Sequence, residues 1–168
     1  MMEFQAYHDG LTGLYNRKAF YDICAQLFST LDREGDTPQA AVVMLDIDDF
    51  KSINDTLGHK VGDDLIQFTA KHLKTVLRKS DILCRWGGDE FIMVLNNLAR
   101  KSDAALVATK VAQIFKDTLD ISGFKIQSGV SLGISMYGDD GVEISELVKN
   151  ADTAMYVAKK NKEIYRFF

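Results

Sequence analysis

The chain of 168 residues contains a single proline, two cysteines and no long apolar run. The one proline, Pro38, lies in a short polar stretch, so no proline-rich linker divides the sequence, and the length is that of one domain. No segment approaches the roughly 18 apolar residues of a membrane span, and the N-terminus lacks the charged start and apolar centre of a signal peptide. We therefore expect one cytoplasmic domain over residues 1–168 that makes no membrane contact of its own.

An excess of positive charge is also missing. The 20 Lys and Arg residues are outnumbered by 24 Asp and Glu residues, which argues against a nucleic-acid binder. Cys24 and Cys84 both lie in apolar runs, and this favours reduced thiols in the core over a disulfide. The composition, 46% hydrophobic and 26% charged, is typical of a soluble globular protein.

The apolar pattern predicts helices and strands in a defined order. Asn16 suits the N-cap of a first helix, and an apolar run after a loop at 35–38 predicts a strand buried on both faces. The predicted elements are a helix from 17 to about 31, the strand 40–45, a polar segment 51–63, a helix 62–78, a hairpin around 87–88, a helix 102–119 capped by Ser102 with Leu106 and Thr118 on its inner face, a strand 126–136, a helix 145–160 and an edge strand 164–168. This order predicts an α/β (α+β) fold with a mostly antiparallel central sheet flanked by helices, similar to the βαββαβ palm of polymerases and nucleotidyl cyclases.

The predicted hairpin turns at the sequence Arg-Trp-Gly-Gly-Asp-Glu-Phe. Gly87 and Gly88 carry no side chains, so another molecule can approach the backbone closely. Asp89 and Glu90 follow at the turn, and Asp46 ends the neighbouring strand. Clustered carboxylates repel one another unless a cation neutralises them, and their oxygens are ligands that suit Mg²⁺. The alternative is a solvated acidic turn, in which the glycines serve turn geometry alone.

The polar segment after the first strand offers partners for a nucleotide. Residues 47–51 supply free backbone groups and the cation of Lys51. Asn54 and Asp63 carry an amide and a carboxylate, which suit the edge of guanine. The alternatives are an Asx-turn at Asn54, an N-cap at Asp63 and a solvent-facing side chain at His59.

Five blocks of the sequence, in order, resemble the GGDEF family of diguanylate cyclases over nearly the whole chain. They cover residues 9–17, 46–55 with 58–59 and 62–63, 85–91, 131–135 and 151–159. The family condenses two GTP molecules into cyclic dimeric GMP (c-di-GMP) and releases two pyrophosphates, so the resemblance implies an enzyme of this kind. It also implies a catalytic homodimer, because each protomer binds one GTP and two protomers must face each other.

Catalytic and metal-binding roles are carried over from the family by position. The resemblance implies that Asp46, the carbonyl of Ile47 and Asp89 hold Mg²⁺ or Mn²⁺. Asp89 or Glu90 would help to deprotonate the attacking 3′-hydroxyl, with Asp89 preferred. Lys51 would stabilise the charge that develops on phosphate.

Substrate binding is implied at a further group of positions. They are Phe50, Asn54, His59, Asp63, Gly87, Gly88, Lys159 and Lys162. Within this group, Asn54 and Asp63 would read guanine. Lys159 would contact the triphosphate, although a lysine at the end of a helix also complements the helix dipole.

Arg78 and Asp81 match the spacing of the family's product-inhibition motif, Arg-x-x-Asp, shortly before the glycine pair. The resemblance therefore implies that c-di-GMP inhibits the enzyme at these two residues. The alternative is an arginine at a helix C-terminus and an aspartate in a turn. Domains of this family generally follow a sensor, so we expect an N-terminal sensory domain in a longer parent protein.

The chain departs from the family after Lys159. Family sequences continue with a stretch that contains glycine, then Lys or Arg, then Asn. Aligned without a gap, Glu163 falls where a phosphate-binding cation is expected; with one residue deleted, Lys162 takes that role, and this is the alignment we prefer. The altered segment keeps a second hypothesis open, namely a regulatory module that binds GTP or c-di-GMP without turnover.

Overall fold

The computed structural model describes residues 2–31 and 39–168, so the predicted loop at 35–38 lies outside the described residues. The helices are α1 (Met2–Tyr7), α2 (Arg17–Phe28), α3 (Phe50–Leu57), α4 (His59–Val76), α5 (Lys101–Ile114) and α6 (Ile144–Lys160). The strands are β1 (Gln39–Ile47), β2 (Ile82–Arg85), β3 (Glu90–Leu98), β4 (Leu119–Ile121), β5 (Phe124–Ile126), β6 (Val130–Met136) and β7 (Tyr165–Phe167). The predicted α/β architecture is confirmed.

The main sheet has five strands in the order β2-β3-β1-β6-β7. Neighbouring strands are antiparallel except β6 and β7, which are parallel. The first strand lies at the centre and is buried along nearly its whole length, as its continuous apolar run predicts. The short β7 lies at the edge, in agreement with the predicted edge strand.

Helices cover both faces of the sheet and create two cores. Val43 and Leu45 of β1 point into the core beneath α4 and α5. Val42 and Met44 alternate with them and point towards α2 and α6. The same alternation places Asp46, the next residue of the second set, on the α6 side at the end of the strand.

The two cysteines are both free and lie fully buried in the core that α2 and α6 cover. Burial raises the pKa of each thiol to about 12, so both stay protonated at neutral pH. The prediction of core thiols is confirmed. Among the described residues, no helix is both long enough and apolar enough to cross a bilayer.

One helix was not predicted, and the bounds of a second helix and of one strand were wrong, because the local residue pattern does not show where each element begins or ends. The polar segment 51–63 folds into α3 and the first turn of α4, separated only by Gly58, which adopts φ 95°. The helix predicted at 62–78 therefore begins at His59. The strand predicted over 126–136 is interrupted: β5 ends at Ile126, and β6 begins at Val130.

The fifth helix also differs from its prediction. It ends at Ile114, and residues 119–126 form the separate hairpin β4–β5. Leu106 is 59% exposed, because the buried face consists of Ala104, Ala108 and Val111 at helical spacing. Thr118 lies beyond the helix and is exposed. The helix begins after Arg100, whose N–H donates to Asp103 Oδ2 (3.0 Å), so Ser102 is not its cap.

Candidate functional site

Adjacent strand ends bring the predicted carboxylates together. Asp46 pairs in register with Glu90 across β1 and β3. One residue further, the N–H of Ile47 donates to the carbonyl of Asp89 (3.2 Å). The side chain of Ile47 is fully buried, so only its backbone faces the cluster. The structure therefore places all four residues at one edge of the sheet, as predicted.

Lysine from α6 reaches into this cluster. Lys159 Nζ donates to Asp46 Oδ2 at 2.7 Å, and Asp46 is only 8% exposed. Asp46 Oδ1 is buried and has no hydrogen-bond partner within the described part of the chain. Burial and the neighbouring Asp89 together outweigh the lysine and raise the pKa of Asp46 to about 6.

The same crowding acts on the neighbouring groups. Burial raises the pKa of Glu90, and the charges of Asp46 and Asp152 raise it further. For Lys159, burial lowers the pKa, but the hydrogen bond and charge of Asp46, with the charges of Asp89 and Asp48, reverse this and raise it. The cluster thus carries an excess of negative charge that Lys159, and Arg17 at Glu90, neutralise in part.

The carboxylates of this site could hold a metal ion only together with oxygen atoms from a bound substrate. Within residues 2–31 and 39–168, no group of three or more His, Cys, Asp or Glu side chains is arranged to hold a metal ion. Asp46 and Asp89 nevertheless form a close pair, and Asp46 Oδ1 is a buried oxygen for which the described residues provide no hydrogen-bond partner. Mg²⁺ usually takes one or two protein carboxylates together with substrate phosphates, so this donor set suits it.

The turn after β1 is held from two sides. The N–H of Asp48 donates to the carbonyl of Gly129 (2.9 Å), and Ser131 Oγ donates to Asp48 Oδ1 (2.7 Å). A side chain on Gly129 would begin 3.0 Å from Asp48 Oδ2, so glycine permits this close contact. Asp49 then adopts φ 55°, which directs the chain into α3. We did not predict a role for Ser131. It pairs in register with Asp46 across β1 and β6, so both side chains lie on the α6 side of the sheet.

Asp48 and Asp49, the two residues before α3, line a cavity of about 420 Å³. The first internal hydrogen bond of α3 runs from Ile53 N to Asp49 O (3.2 Å), so the N–H groups of residues 50–52 precede the helical ladder. Both Lys159 and Lys162 line the cavity, and Lys51 is exposed in the first turn of α3. Backbone N–H groups at a helix N-terminus, together with lysines, are a favourable arrangement for phosphate.

The residues predicted to read guanine meet where α3 packs on α4. Asn54 lies against Gly62 so closely that a Cβ there would clash with the amide oxygen, and Phe50 contacts the same glycine. Asp63 and His59 are exposed on the first two turns of α4. Asn54 lies inside α3 and Asp63 inside α4, so the Asx-turn and N-cap alternatives are both wrong.

The glycine turn is fixed by an arginine. Arg85 donates to the carbonyls of Gly87 (3.2 Å) and Gly88 (2.9 Å), and its Nη1 lies 3.1 Å from Asp9 Oδ1. Both glycine backbones remain partly or fully exposed. The turn therefore exposes backbone without side chains beside the carboxylates, and the hydrogen bonds from Arg85 fix its conformation.

Comparison with known proteins decides the family. The model of the family described as "Diguanylate cyclase, GGDEF domain" matches residues 6–164. The chain belongs to the GGDEF family. It is 41% identical over 166 residues to the signaling protein YkoW of Bacillus subtilis, covering 97% of this chain and 20% of YkoW. The chain thus spans about a fifth of that relative's length.

Two further proteins are similar in sequence and structure. Diguanylate cyclase TpbB of Pseudomonas aeruginosa is 37% identical over 158 residues, which cover 93% of this chain and 36% of TpbB. The structure of its GGDEF domain aligns with a TM-score of 0.89 and 34% identity, over 95% of this chain and 93% of that one. The coiled coil and GGDEF domain of DgcB from Caulobacter crescentus, solved in complex with c-di-GMP, aligns with a TM-score of 0.82 and 29% identity, over 99% and 88%.

The end of α6 is where this GGDEF domain departs from its family. The N–H of Glu163 donates to Ala158 O (2.8 Å) and that of Lys162 to Lys159 O (3.3 Å), which is a Schellman motif. Lys162 adopts φ 57°, a conformation that favours glycine. The structure thus places Lys162 where the family has its glycine, which favours the ungapped alignment over the deletion that we preferred.

Glu163 therefore occupies the position of the expected phosphate-binding cation. It accepts from Arg166 Nη2 (3.0 Å) and Arg166 Nε (3.2 Å), and from Asn161 Nδ2 (3.2 Å). The hydrogen bonds from Arg166 and Asn161 lower the pKa of this exposed glutamate. Sequence comparison did not reveal this partner, which gives the acidic residue a local counterion.

The predicted inhibitory pair is partly engaged within the domain. Asp81 Oδ2 accepts from the N–H of Arg78 (2.9 Å), and Asp81 Oδ1 accepts from the N–H of Asn96 (3.0 Å). Its side chain is 3% exposed, whereas that of Arg78 is 55% exposed. The turn role of Asp81 is thus present in the structure. Arg78 is the more exposed member of the pair, and its Nη2 donates to the carbonyl of Asn96.

Proposed function

We propose that this domain is a diguanylate cyclase that condenses two GTP molecules into c-di-GMP and two pyrophosphates. In each half of the reaction, a 3′-hydroxyl oxygen bonds to an α-phosphorus, and the bond from that phosphorus to the bridging oxygen breaks. The observation that carries the proposal is the Asp46–Asp89 pair, whose partner Lys159 lines a cavity together with Asp48 and Asp49 just before α3. Family membership and the diguanylate cyclase TpbB support it.

We assign triphosphate binding, metal binding and proton acceptance to different residues of the site. The N-terminal N–H groups of α3, Lys51 and Lys159 bind the triphosphate. Asp46, the Ile47 carbonyl and Asp89 would hold Mg²⁺ or Mn²⁺, which supplies positive charge against the phosphate oxygens. Either Asp89 or Glu90 accepts the proton of the 3′-hydroxyl, with Asp89 as the first candidate.

Guanine recognition is assigned to the α3–α4 junction. The carboxylate of Asp63 accepts two hydrogen bonds from the N1–H and N2–H edge of guanine, which adenine does not offer. Asn54 packs against Gly62, the residue before Asp63. The buried Oδ1 of Asn54 has no hydrogen-bond partner among the described residues. His59, exposed at the start of α4, lies within the same region.

Two protomers complete the reaction. The described residues of one domain carry one Asp46–Asp89 pair, so two bound GTP molecules meet only when two domains face each other, most simply with two-fold symmetry. Since the chain spans about a fifth of YkoW, we further propose that a sensory domain in the parent protein controls this pairing.

The first test is product analysis. The purified chain is incubated with GTP and Mg²⁺ at a series of protein concentrations, and products are identified by mass spectrometry. We expect c-di-GMP, with a rate that rises faster than linearly with protein, and no product from Asp89→Asn. GTP binding without product at high protein concentration would contradict turnover and favour the regulatory module, for which Glu163 in the cation position is the supporting observation.

Product inhibition requires a careful choice of variant. Both carboxylate oxygens of Asp81 hold backbone N–H groups, so Asp81→Ala would disturb the turn as well as any ligand. Arg78→Ala keeps both of those backbone hydrogen bonds and removes the bond from Arg78 Nη2 to the carbonyl of Asn96. We expect Arg78→Ala to synthesise c-di-GMP normally at first and to continue at product concentrations that slow the parent chain. Equal inhibition of both proteins would contradict a site at Arg78.

A further inference from the structure

Lys159 forms an ion pair with Asp46, the carboxylate to which the proposed function assigns the metal ion. Its ammonium lies 2.7 Å from Asp46 Oδ2, and the charges of Asp89 and Asp48 also act on it. The ammonium therefore neutralises part of the negative charge that would attract a divalent cation. In this state, a free cation would have to displace a lysine or bind beside a positive charge.

The position of Lys159 also allows it to leave. It stands in the last turn of α6, its side chain is 42% exposed, and it lines the cavity that receives the triphosphate. Its flexible four-carbon stem allows the ammonium to turn between neighbouring oxygen ligands. A triphosphate carries several negative charges, so it competes for the ammonium more strongly than the single carboxylate of Asp46 does.

We infer that Lys159 makes the site select the metal–nucleotide complex over the free divalent cation. Without nucleotide, Lys159 is the counterion of Asp46; with nucleotide, it moves to the triphosphate and leaves Asp46 to the metal ion that the nucleotide brings. This inference rests on the proposed function, and it adds the order of events and the residue that imposes it.

The arrangement has a physical rationale in the nucleotide-free domain. Asp46 is buried next to a second carboxylate, and a buried charge without a counterion is strongly destabilising. A lysine on the same chain supplies that counterion when neither metal nor nucleotide is present. One side chain thus serves the empty state and the loaded state in different positions.

Binding of Mn²⁺ to the nucleotide-free chain tests the inference without turnover. Free Mn²⁺ is measured by electron paramagnetic resonance for the parent chain, Lys159→Met and Lys160→Met. Lys160 is the exposed neighbour at the end of the same helix, so its substitution removes the same charge without touching Asp46. We expect Lys159→Met to bind Mn²⁺ at least about tenfold tighter, since a nearby opposite charge changes carboxylate affinities by one or more orders of magnitude.

Further variants assign the result. Asp46→Asn, introduced into Lys159→Met, should abolish the gained binding. If Lys159→Met does not fold, Lys159→Gln, whose amide still donates to Asp46, gives the same comparison. Equal Mn²⁺ affinity of the Lys159 and Lys160 variants would overturn the inference alone, provided that the parent chain binds Mn²⁺ together with GTP. Absence of Mn²⁺ binding even with GTP would overturn the proposed function as well.

Discussion

Asp46 combines a raised pKa with a lysine partner, and this predicts how stability depends on pH. Its carboxyl has a pKa of about 6 in the folded chain against 3.8 for an unperturbed Asp, so folding favours the protonated form. The stabilising contribution is complete below 3.8 and is lost as the pH rises through about 6. One pKa unit corresponds to about 1.4 kcal/mol, so roughly 2 kcal/mol of stability should be lost between about pH 4.5 and pH 7.5.

Asp46→Asn isolates this effect from the other carboxylates. The free energy of unfolding is measured in urea with EDTA present, for the parent chain and the variant, across the same pH range. The difference between the two proteins should move in favour of the variant by roughly 2 kcal/mol as the pH rises, because asparagine does not titrate. Parallel pH curves would show that Asp46 is not crowded in the way described.

Lys162 predicts a gain in stability on substitution by glycine. An L-residue in the left-handed conformation costs about 1 kcal/mol relative to glycine, and Lys162 adopts φ 57°. Lys162→Gly should therefore raise the free energy of unfolding by about that amount, measured in urea. Lys162→Gln removes the charge but keeps the backbone strain, so it should leave stability nearly unchanged. A loss of stability in the glycine variant would contradict the Schellman assignment.

The sequence alone could not decide whether Lys162 or Glu163 aligns with the phosphate-binding cation of the family. The pattern places either Lys162 or Glu163 at the phosphate-binding position, depending on one gap. The gap is resolved by a backbone angle and by the pairing of Glu163 with Arg166, neither of which a residue pattern contains. By contrast, Asp46, Asp89 and Glu90 could be predicted, because strand ends and a glycine turn are visible in the sequence.

At the scale of elements, β6 holds the turn that follows β1. Ser131 donates to Asp48 at 2.7 Å, and a hydrogen bond to a charged group contributes about 1.5–3 kcal/mol. Ser131→Ala should loosen the turn that carries the N–H groups proposed to bind phosphate. We expect the KM for GTP to rise about tenfold, measured by pyrophosphate release, since that is the kinetic equivalent of about 1.4 kcal/mol.

Ser135 supplies the matched control on the same strand. Its hydroxyl donates to Leu147 O (2.6 Å) in the core beneath α6, and it is fully buried. Ser135→Ala should lower stability without raising the KM, whereas Ser131→Thr should keep both near the parent values because it retains a hydroxyl. A KM that rises equally in the two alanine variants would indicate a general loss of structure and contradict a positioning role for Ser131.

Elements with strong apolar repeats were predicted well, and those defined by tertiary contacts were not. The helix from Arg17 and the central strand follow from periodicity and an N-cap. The inner face of α5 was misassigned because Ala104 and Ala108 contribute weakly to an apolar pattern. The close approach of α6 to β6 depends on Gly133, where a Cβ would lie 2.0 Å from Ala151 O, and nothing in the strand pattern predicts that contact.

At the scale of the whole molecule, the site is assembled from distant parts of the chain. Lys159 and Asp46 are 113 residues apart in sequence, and Asp89 comes from a third segment. The sequence predicts which segments take part, because each carries a distinct motif. The pairing of the lysine with the carboxylate depends on how α6 crosses the sheet, so it emerges only in the folded chain.

Two domains are required for the proposed reaction, and mixing an inactive domain with an active one tests this. At protein concentrations where the rate is proportional to protein, dimers are saturated and dilution with buffer halves the rate. Replacing half of the parent chain with Asp89→Asn should instead leave roughly one quarter of the rate, as random pairing in a two-fold dimer requires. Asp89→Asn removes a charge near the end of β3 and leaves the sheet intact, so the variant should still pair.

The control replaces half of the parent chain with Lys160→Met, which alters an exposed residue away from the carboxylates. That mixture should keep the full rate. If the Asp89→Asn mixture retained half of the rate, each parent domain would contribute independently of an inactive partner, which would contradict the need for two intact sites in one dimer. We expect the lower value, because the described residues carry one Asp46–Asp89 pair, and the proposed reaction needs two such pairs, each with its own GTP.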